Sequence, residues 1–167
     1  AFTVGSTDTK INSLGVYGDT PHLWAFKEDI PYEVVSDVPY EFRSAQMKAM
    51  RDWRNGKANI QFDRNLFWGF REGCERWSES GDLLHMGPEV RGPEGMPDDR
   101  RGYFADFAEY GGLLIGAYDG GCSNYSSILA WNGEGWHELF RAPWKGARIL
   151  SLKTQSIEGN AVDRLWF

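Results

Sequence analysis

Short hydrophobic runs return along this chain at intervals of about 45 residues, and this repeat constrains the fold more than any other feature. The runs are too short for helices and dense enough to be strands buried on both faces. They are HLWAF, NLFWGF, LLIGA and RLWF, whose leading leucines at 23, 66, 113 and 165 lie 43, 47 and 52 residues apart. A second run precedes each: INSLGVY, ANIQF, GYFADFAEY and ARILSLK, the last predicting a strand over 147–153. Their residues Leu14, Ile60, Phe104 and Ile149 lie 46, 44 and 45 apart.

Two further strands follow each pair of runs. The third strand is predicted at IPYEVV, CERW and ILAW, and the fourth near VPYEF, at DLLHMG and at WHELF. A unit of four antiparallel strands in about 45 residues has the period and content of a β-propeller blade. Such a unit cannot bury both faces alone, so neighbouring units must stack. A β-sandwich or barrel also has short, evenly spaced strands, but does not require this recurrent register.

The sequence therefore predicts one all-β, propeller-like domain over residues 1–167. Its units lie roughly at 11–57, 58–101 and 102–146, with a partial unit at 147–167 and AFTVG as the outermost strand of a preceding one. Closed propellers typically have 4–8 blades, so further chain or other subunits are expected to complete the ring. The segment EFRSAQMKAMRDW, residues 41–53, interrupts the pattern and predicts either a short helix or an extended connection.

Composition agrees with short strands and limits the partners. Aromatic residues make up 15% of the chain and glycine occurs 20 times, which suits strands joined by tight turns. The net charge of -6 argues against a nucleic-acid binder. No apolar run approaches the roughly 20 residues that span a bilayer. Cys74 and Cys122 form no zinc motif, and their places in different units predict two free thiols.

No residue is assigned a catalytic, cofactor-binding or metal-binding role. The three histidines, His22, His85 and His137, have no fixed spacing to a carboxylate and are expected to be structural. PDDRR at 97–101 is expected to be a solvated turn. The polar residues of the innermost strands are expected to face channel water rather than a ligand: Asn12, Asn59, Gln61, Asp106 and Lys153.

The best candidates for partner or ligand contact lie towards the C-terminus. The loop GGCSNYSS is an insertion relative to the other units, and loops carry function more often than cores. Trp77 and Trp131 end equivalent strands and belong to the framework, whereas Trp136 has no aromatic counterpart one unit earlier. The candidate contact residues are Cys122, Ser123, Asn124, Tyr125, Trp136 and Trp144.

Five segments resemble uncharacterised propeller-like structural proteins of tailed bacteriophages and bacteria: LWAFKED, NLFWGFREGCERW, GPEGMPDDRRGYFADFAEYGGLLIGAYDGG, YSSILAWNGEGWHEL and GNAVDRLWF. The resemblance covers nearly the whole chain and carries no catalytic residues. It implies a non-enzymatic structural or adhesion component of a virion, associated with the tail, neck or fibre. Its expected partners are other virion proteins or copies of itself that complete the propeller.

Two other functions remain open on the sequence. A lectin-like propeller, secreted or on a bacterial surface, would use the abundant tryptophans to bind a cell-surface glycan. A propeller glycosidase would need carboxylates that converge in the channel. No cofactor is expected for any of these functions.

Overall fold

The computed structural model describes residues 4, 8–35, 38–41, 52–78, 80–86, 102–156 and 163–167. Within these ranges every regular element is a β-strand and no helix occurs, so the chain is all-β. The strands are β1 Ile11–Tyr17, β2 His22–Lys27, β3 Pro31–Val35, β4 Val38–Glu41, β5 Asn59–Phe62, β6 Asn65–Phe70, β7 Gly73–Ser78, β8 Leu83–Met86, β9 Tyr103–Tyr110, β10 Leu113–Asp119, β11 Ser127–Trp131, β12 Trp136–Arg141, β13 Lys153–Gln155 and β14 Arg164–Trp166.

The strands form three four-stranded antiparallel sheets and one hairpin, each made from consecutive strands. Sheet 1 contains β1–β4, sheet 2 β5–β8, sheet 3 β9–β12 and sheet 4 β13–β14. The predicted four-stranded units are confirmed, including the fourth strand near VPYEF, which is β4. Short connections favour this order because adjacent antiparallel strands need only a hairpin between them.

The predicted strand over 147–153 is wrong for most of its length. Residues 147–152 have no regular structure, and β13 begins only at Lys153. The cause is side-chain bonding to sheet 3. Arg148 pairs with the buried carboxylate of Asp119, and the Leu152 amide donates to Asp106 Oδ2 at 2.9 Å. The segment is thus held as a crossing connection instead of a strand. RLWF does supply a second strand, since β14 pairs with β13.

Other predicted features fall outside the described residues. Only Val4 of AFTVG is described, and the whole of PDDRR lies outside. Of the interrupting segment, only Glu41, the last residue of β4, and residues 52 and 53 are described. Trp53 lies in a turn, with 56% of its surface exposed.

The hairpin turns fix which residues occupy equivalent places. The closing pairs are Tyr17 with His22 in sheet 1, Phe62 with Asn65 in sheet 2, and Tyr110 with Leu113 in sheet 3. Counted from these pairs, the counterpart of Leu23 and Leu66 is Leu114, not Leu113 as the sequence spacing suggested. Leu66 pairs with Trp77 and Leu114 with Trp131, which confirms the predicted equivalence of these two tryptophans.

Alternation along these strands gives each sheet two distinct faces. We call the face carrying Leu23, Leu66 or Leu114 the back face, and the face carrying Trp24, Phe67 or Ile115 the forward face. Between sheets 1 and 2, Trp24 and Phe26 of the forward face pack against Trp68 and Phe70 of the next back face.

The same stacking recurs along the chain. The forward face of sheet 2, with Phe67, packs on the back face of sheet 3, with Leu114 and Trp131. The forward face of sheet 3, with Ile115, packs on Ile149, Leu152 and Leu165. The first strands of successive sheets also contact one another, β1 with β5, β5 with β9 and β9 with β13.

Candidate functional site

Two loops at one end of sheet 3 bring most of the predicted contact residues together. The β10–β11 loop carries Cys122 to Tyr125, and Trp144 lies in the connection after β12. The amide of Gly146 donates to the Asn124 carbonyl at 3.1 Å. Cys122 and Ser123 are exposed, as is 65% of Trp144. We call Cys122, Ser123, Asn124, Tyr125 and Trp144 the loop surface.

Hydrogen bonds of Ser126 hold the loop surface in place, and two cationic side chains lie at its edge. Ser126 Oγ donates to the Ala147 carbonyl at 2.6 Å and accepts from the Gly120 amide at 3.1 Å. Arg141 and Lys145 lie over the Tyr125 ring, 5.6 Å and 5.8 Å from its centroid. The predicted loop candidates therefore form one anchored surface, and its contact with a partner stays a prediction.

The prediction that Trp136 is available for contact is wrong. Only 5% of its surface is exposed. Its ring centroid lies 4.8 Å from that of Phe104 and 5.7 Å from that of Trp131. The reason is register, because Trp136 pairs directly with Trp131 and shares its face, which packs on sheet 2. Trp136 belongs to the core between sheets 2 and 3.

Both cysteines are free, as predicted, but they differ in environment. Cys74 lies in β7 and is buried, whereas Cys122 lies in a loop and is exposed. Burial raises the pKa of the Cys74 thiol well above its usual range, with a further rise from Glu75. Cys74 is therefore a packing residue, and only Cys122 presents a thiol to solvent.

Two histidines pair with carboxylates that sequence spacing did not reveal. His22 Nδ1 hydrogen-bonds to Glu33 Oε1 across β2 and β3, and His85 Nδ1 lies 2.9 Å from Glu75 Oε1 across β7 and β8. Such partners become visible only once strand pairing is known. His137 Nε2 lies 3.0 Å from Asn132 Nδ2. No group of three or more metal-ligand side chains occurs in the part of the chain that the structure describes.

Four of the five polar residues that were expected to face channel water hydrogen-bond to a neighbouring unit, and Lys153 is the exception. Asn12 Nδ2 donates to the Asn55 carbonyl at 2.8 Å, and Asn59 Nδ2 donates to Ser13 Oγ at 2.9 Å. Gln61 Oε1 accepts from the Gly18 amide at 3.3 Å. Asp106 accepts from Leu152, as described above, and Lys153 is exposed. We call the contact between two successive units a seam. Each of these bonds crosses from one unit to the next and therefore stabilises a seam.

The pair Asp119–Arg148 anchors the segment after sheet 3. Asp119 Oδ2 accepts from Arg148 Nε at 2.9 Å, and Asp119 Oδ1 accepts from the Gly121 amide at 2.8 Å. Burial of the carboxyl acts to raise its pKa, but these hydrogen bonds outweigh it, and the pKa of Asp119 lies below its usual value. Burial, reinforced by the nearby Asp119, raises the pKa of Tyr103.

A cleft opens where sheet 1 meets sheet 2, at the end of the sheets that carries the first hairpin turn. We call it the first seam cleft. It has a volume of about 330 Å³. The residues around it come from the forward face of sheet 1, the β1–β2 turn and the back face of sheet 2: Tyr17, Gly18, Asp19, Thr20, His22, Trp24, Glu33 and Trp77.

Clefts recur at the corresponding place of the next two seams. The second seam cleft, between sheets 2 and 3, has a volume of about 390 Å³. A third, of about 370 Å³, lies between the Glu109–Gly112 turn region and sheet 4. Five positions of the first cleft have counterparts in the second: Tyr17 and Phe62, His22 and Asn65, Trp24 and Phe67, Glu33 and Arg76, and Trp77 and Trp131.

The first two clefts thus share a construction but differ in charge. The carboxylate of Glu33 in the first is replaced by the guanidinium of Arg76 in the second. Sequence reasoning missed these clefts because their walls come from separate units. The recurring third-strand tryptophans, Trp77 and Trp131, were a signal that could have indicated the clefts, but the sequence analysis assigned both to the framework.

Comparisons with known proteins show no similarity from which a function could be inferred. No protein-family model matches the chain, and no curated protein matches it. The described residues contain no helix with the length and hydrophobicity needed to cross a bilayer.

Proposed function

We propose that the chain is a propeller-like assembly module in which each four-stranded sheet is one blade. The support is the order of stacking, in which the forward faces of sheets 1 and 2 each pack on the back face of the following sheet. This relation between unlike faces builds a closed ring when its rotation closes. Contacts between the first strands of successive sheets agree with blades that radiate from a common axis.

The module acts as a non-enzymatic structural or adhesion component, and a virion is its proposed setting. One observation carries the proposal. Leu66 and Leu114 are fully buried under the preceding sheet, whereas the equivalent Leu23 is 40% exposed. Leu14 and Val16 beside it, on the same face, are 59% and 57% exposed. The rest of this face is covered, since Ala25, Tyr32 and Val34 are buried. The exposed apolar patch of Leu14, Val16 and Leu23 marks a contact site, and its partner is another copy of the chain or another virion protein.

The test compares two leucine substitutions in assembly. Leu23→Asp places a charge on the exposed patch of Leu14, Val16 and Leu23, and Leu139→Asp places one on β12, where the leucine is 57% exposed and belongs to sheet 3. We expect Leu23→Asp to abolish incorporation into the source particle, as seen by electron microscopy and by sedimentation, and Leu139→Asp to assemble normally. Normal assembly of the Leu23 variant, or a wild-type protein found only free in cell extract, contradicts the proposal.

Carbohydrate binding is a second candidate function, and the seam clefts favour it. Clefts of comparable size recur at three seams, and the first two have aromatic walls with a few polar side chains. This combination is typical of small-molecule sites. Repetition on one end of the domain would also allow several weak contacts with one glycan surface to act together. A glycan array probed with the intact protein tests it, and uniformly absent binding contradicts it.

A further inference from the structure

We propose that the first seam cleft binds a neutral saccharide ring. The ring stacks on Trp77, and the Glu33–His22 pair hydrogen-bonds to its hydroxyl groups. This inference rests on the second candidate function and names its site and ligand class. The cleft volume of about 330 Å³ lies near the lower end of the range for small-molecule pockets. That size suits one or two rings rather than a long chain.

The apolar side of the cleft is rigid. The Tyr17 hydroxyl donates to the Arg64 carbonyl at 2.7 Å, which fixes the ring across the seam. The Tyr17 and Trp24 rings meet edge to face with centroids 6.3 Å apart, and Trp24 is 1% exposed at the back of the cleft. Trp77 remains partly exposed and closes the opposite side. A ligand therefore meets a preorganised aromatic surface, which lowers the ordering cost of binding.

The polar side presents one acceptor and one imidazole together. The side chains of His22 and Glu33 are 37% and 30% exposed, and the bond between them uses Nδ1 and Oε1. Among the described residues, no hydrogen bond is made to the remaining Glu33 Oε2 or His22 Nε2. A carboxylate oxygen beside a ring nitrogen can accept from one hydroxyl and bond to its neighbour, and sugars display adjacent hydroxyls of this kind.

The acidic side chains of the first seam cleft favour neutral sugars over acidic ones. Glu33 and Asp19 both line the cleft, so a carboxylated or sulfated sugar would meet like charge at short range. A neutral sugar, which presents only hydroxyl groups, meets no such repulsion. The second seam cleft has Arg76 in the place of Glu33. A carboxylate at this position is therefore not required for two sheets to stack.

The experiment probes an array of neutral and acidic glycans and then titrates the methyl glycoside of the strongest neutral hit by calorimetry. Glu33→Gln and His22→Ala test the polar pair, and Trp77→Phe tests the stacking surface without emptying the core. We expect Glu33→Gln and His22→Ala each to weaken binding at least about tenfold, a change that corresponds to roughly 1.4 kcal/mol. Glu134→Gln, the same change at an exposed turn of sheet 3, is the matched control and should bind as the wild type does.

Each result has a distinct meaning. Glycan binding that survives Glu33→Gln and His22→Ala unchanged overturns the site and leaves carbohydrate binding intact. Absence of any glycan binding overturns both, while the assembly test with Leu23→Asp stands apart from it. A preference for acidic glycans overturns the ligand class. So does tighter binding of choline, added as the probe for a cation held by aromatic rings and a carboxylate.

Discussion

Replacing equivalent leucines by alanine measures directly how much each back face is covered. Leu66→Ala removes a fully buried side chain and leaves a cavity between sheets 1 and 2, so it should lower the free energy of unfolding by about 3 kcal/mol. Leu23 is 40% exposed. Burying the rest of its side chain stabilises by about 1 kcal/mol, scaled from about 2 kcal/mol for complete burial. Leu23→Ala should therefore cost only about 1 kcal/mol, because it opens no closed cavity.

Urea unfolding at low protein concentration is the assay, with the midpoint converted through the slope of the wild type. Repeating it at about a hundred-fold higher concentration should enlarge the cost of Leu23→Ala and leave that of Leu66→Ala unchanged, because association stabilises only the folded form. Equal losses for the two variants at low concentration would refute the reasoning, since Leu23 would then be covered within a single chain.

Three further substitutions test local features. Arg64 has φ of 58° in the β5–β6 turn, so Arg64→Gly should relieve strain and raise the free energy of unfolding by about 0.5–1 kcal/mol in urea; a lower midpoint contradicts this. His85→Ala leaves the Glu75 carboxylate, 1% exposed, without its partner and should cost about 3 kcal/mol, part of which Glu75→Gln should restore in the double variant; no rescue contradicts it. Because the pKa of Asp119 is lowered in the folded state, its contribution is present above the unfolded pKa and is lost as pH falls through the folded value. Acid titration of stability should thus fall less steeply below about pH 4 for Asp119→Asn than for the wild type, and parallel curves contradict it.

The strand order could be predicted because it depends on local signals. INSLGVY coincides with β1, and CERW and ILAW lie within β7 and β11. Hairpin turns such as Gly111–Gly112, both with positive φ, join strands that are adjacent in sequence as well as in the sheet. A dense apolar run bounded by such turns has few alternatives to a central strand.

The failures come from interactions between units. Whether Trp136 points to solvent or to the core depends on the pairing register, and a shift of one residue reverses the face. The conformation of residues 147–152 depends on the pairing of Arg148 with Asp119, which lies 29 residues away in sequence. Glu33 and Trp77 meet around one cleft only after two sheets have stacked. The insertion that carries Cys122 to Tyr125 is visible in the sequence because it lies between two regular strands, and its role in contact stays a prediction.

An experimental structure of the assembled protein, at a resolution that shows side chains, tests the central claim most directly. The proposal predicts that Leu14, Val16 and Leu23 lie against the forward face of another four-stranded sheet, with the first strands of all sheets around one axis. If these three side chains face solvent in the assembly, or if the sheets pack as a sandwich without a common axis, the proposal is contradicted.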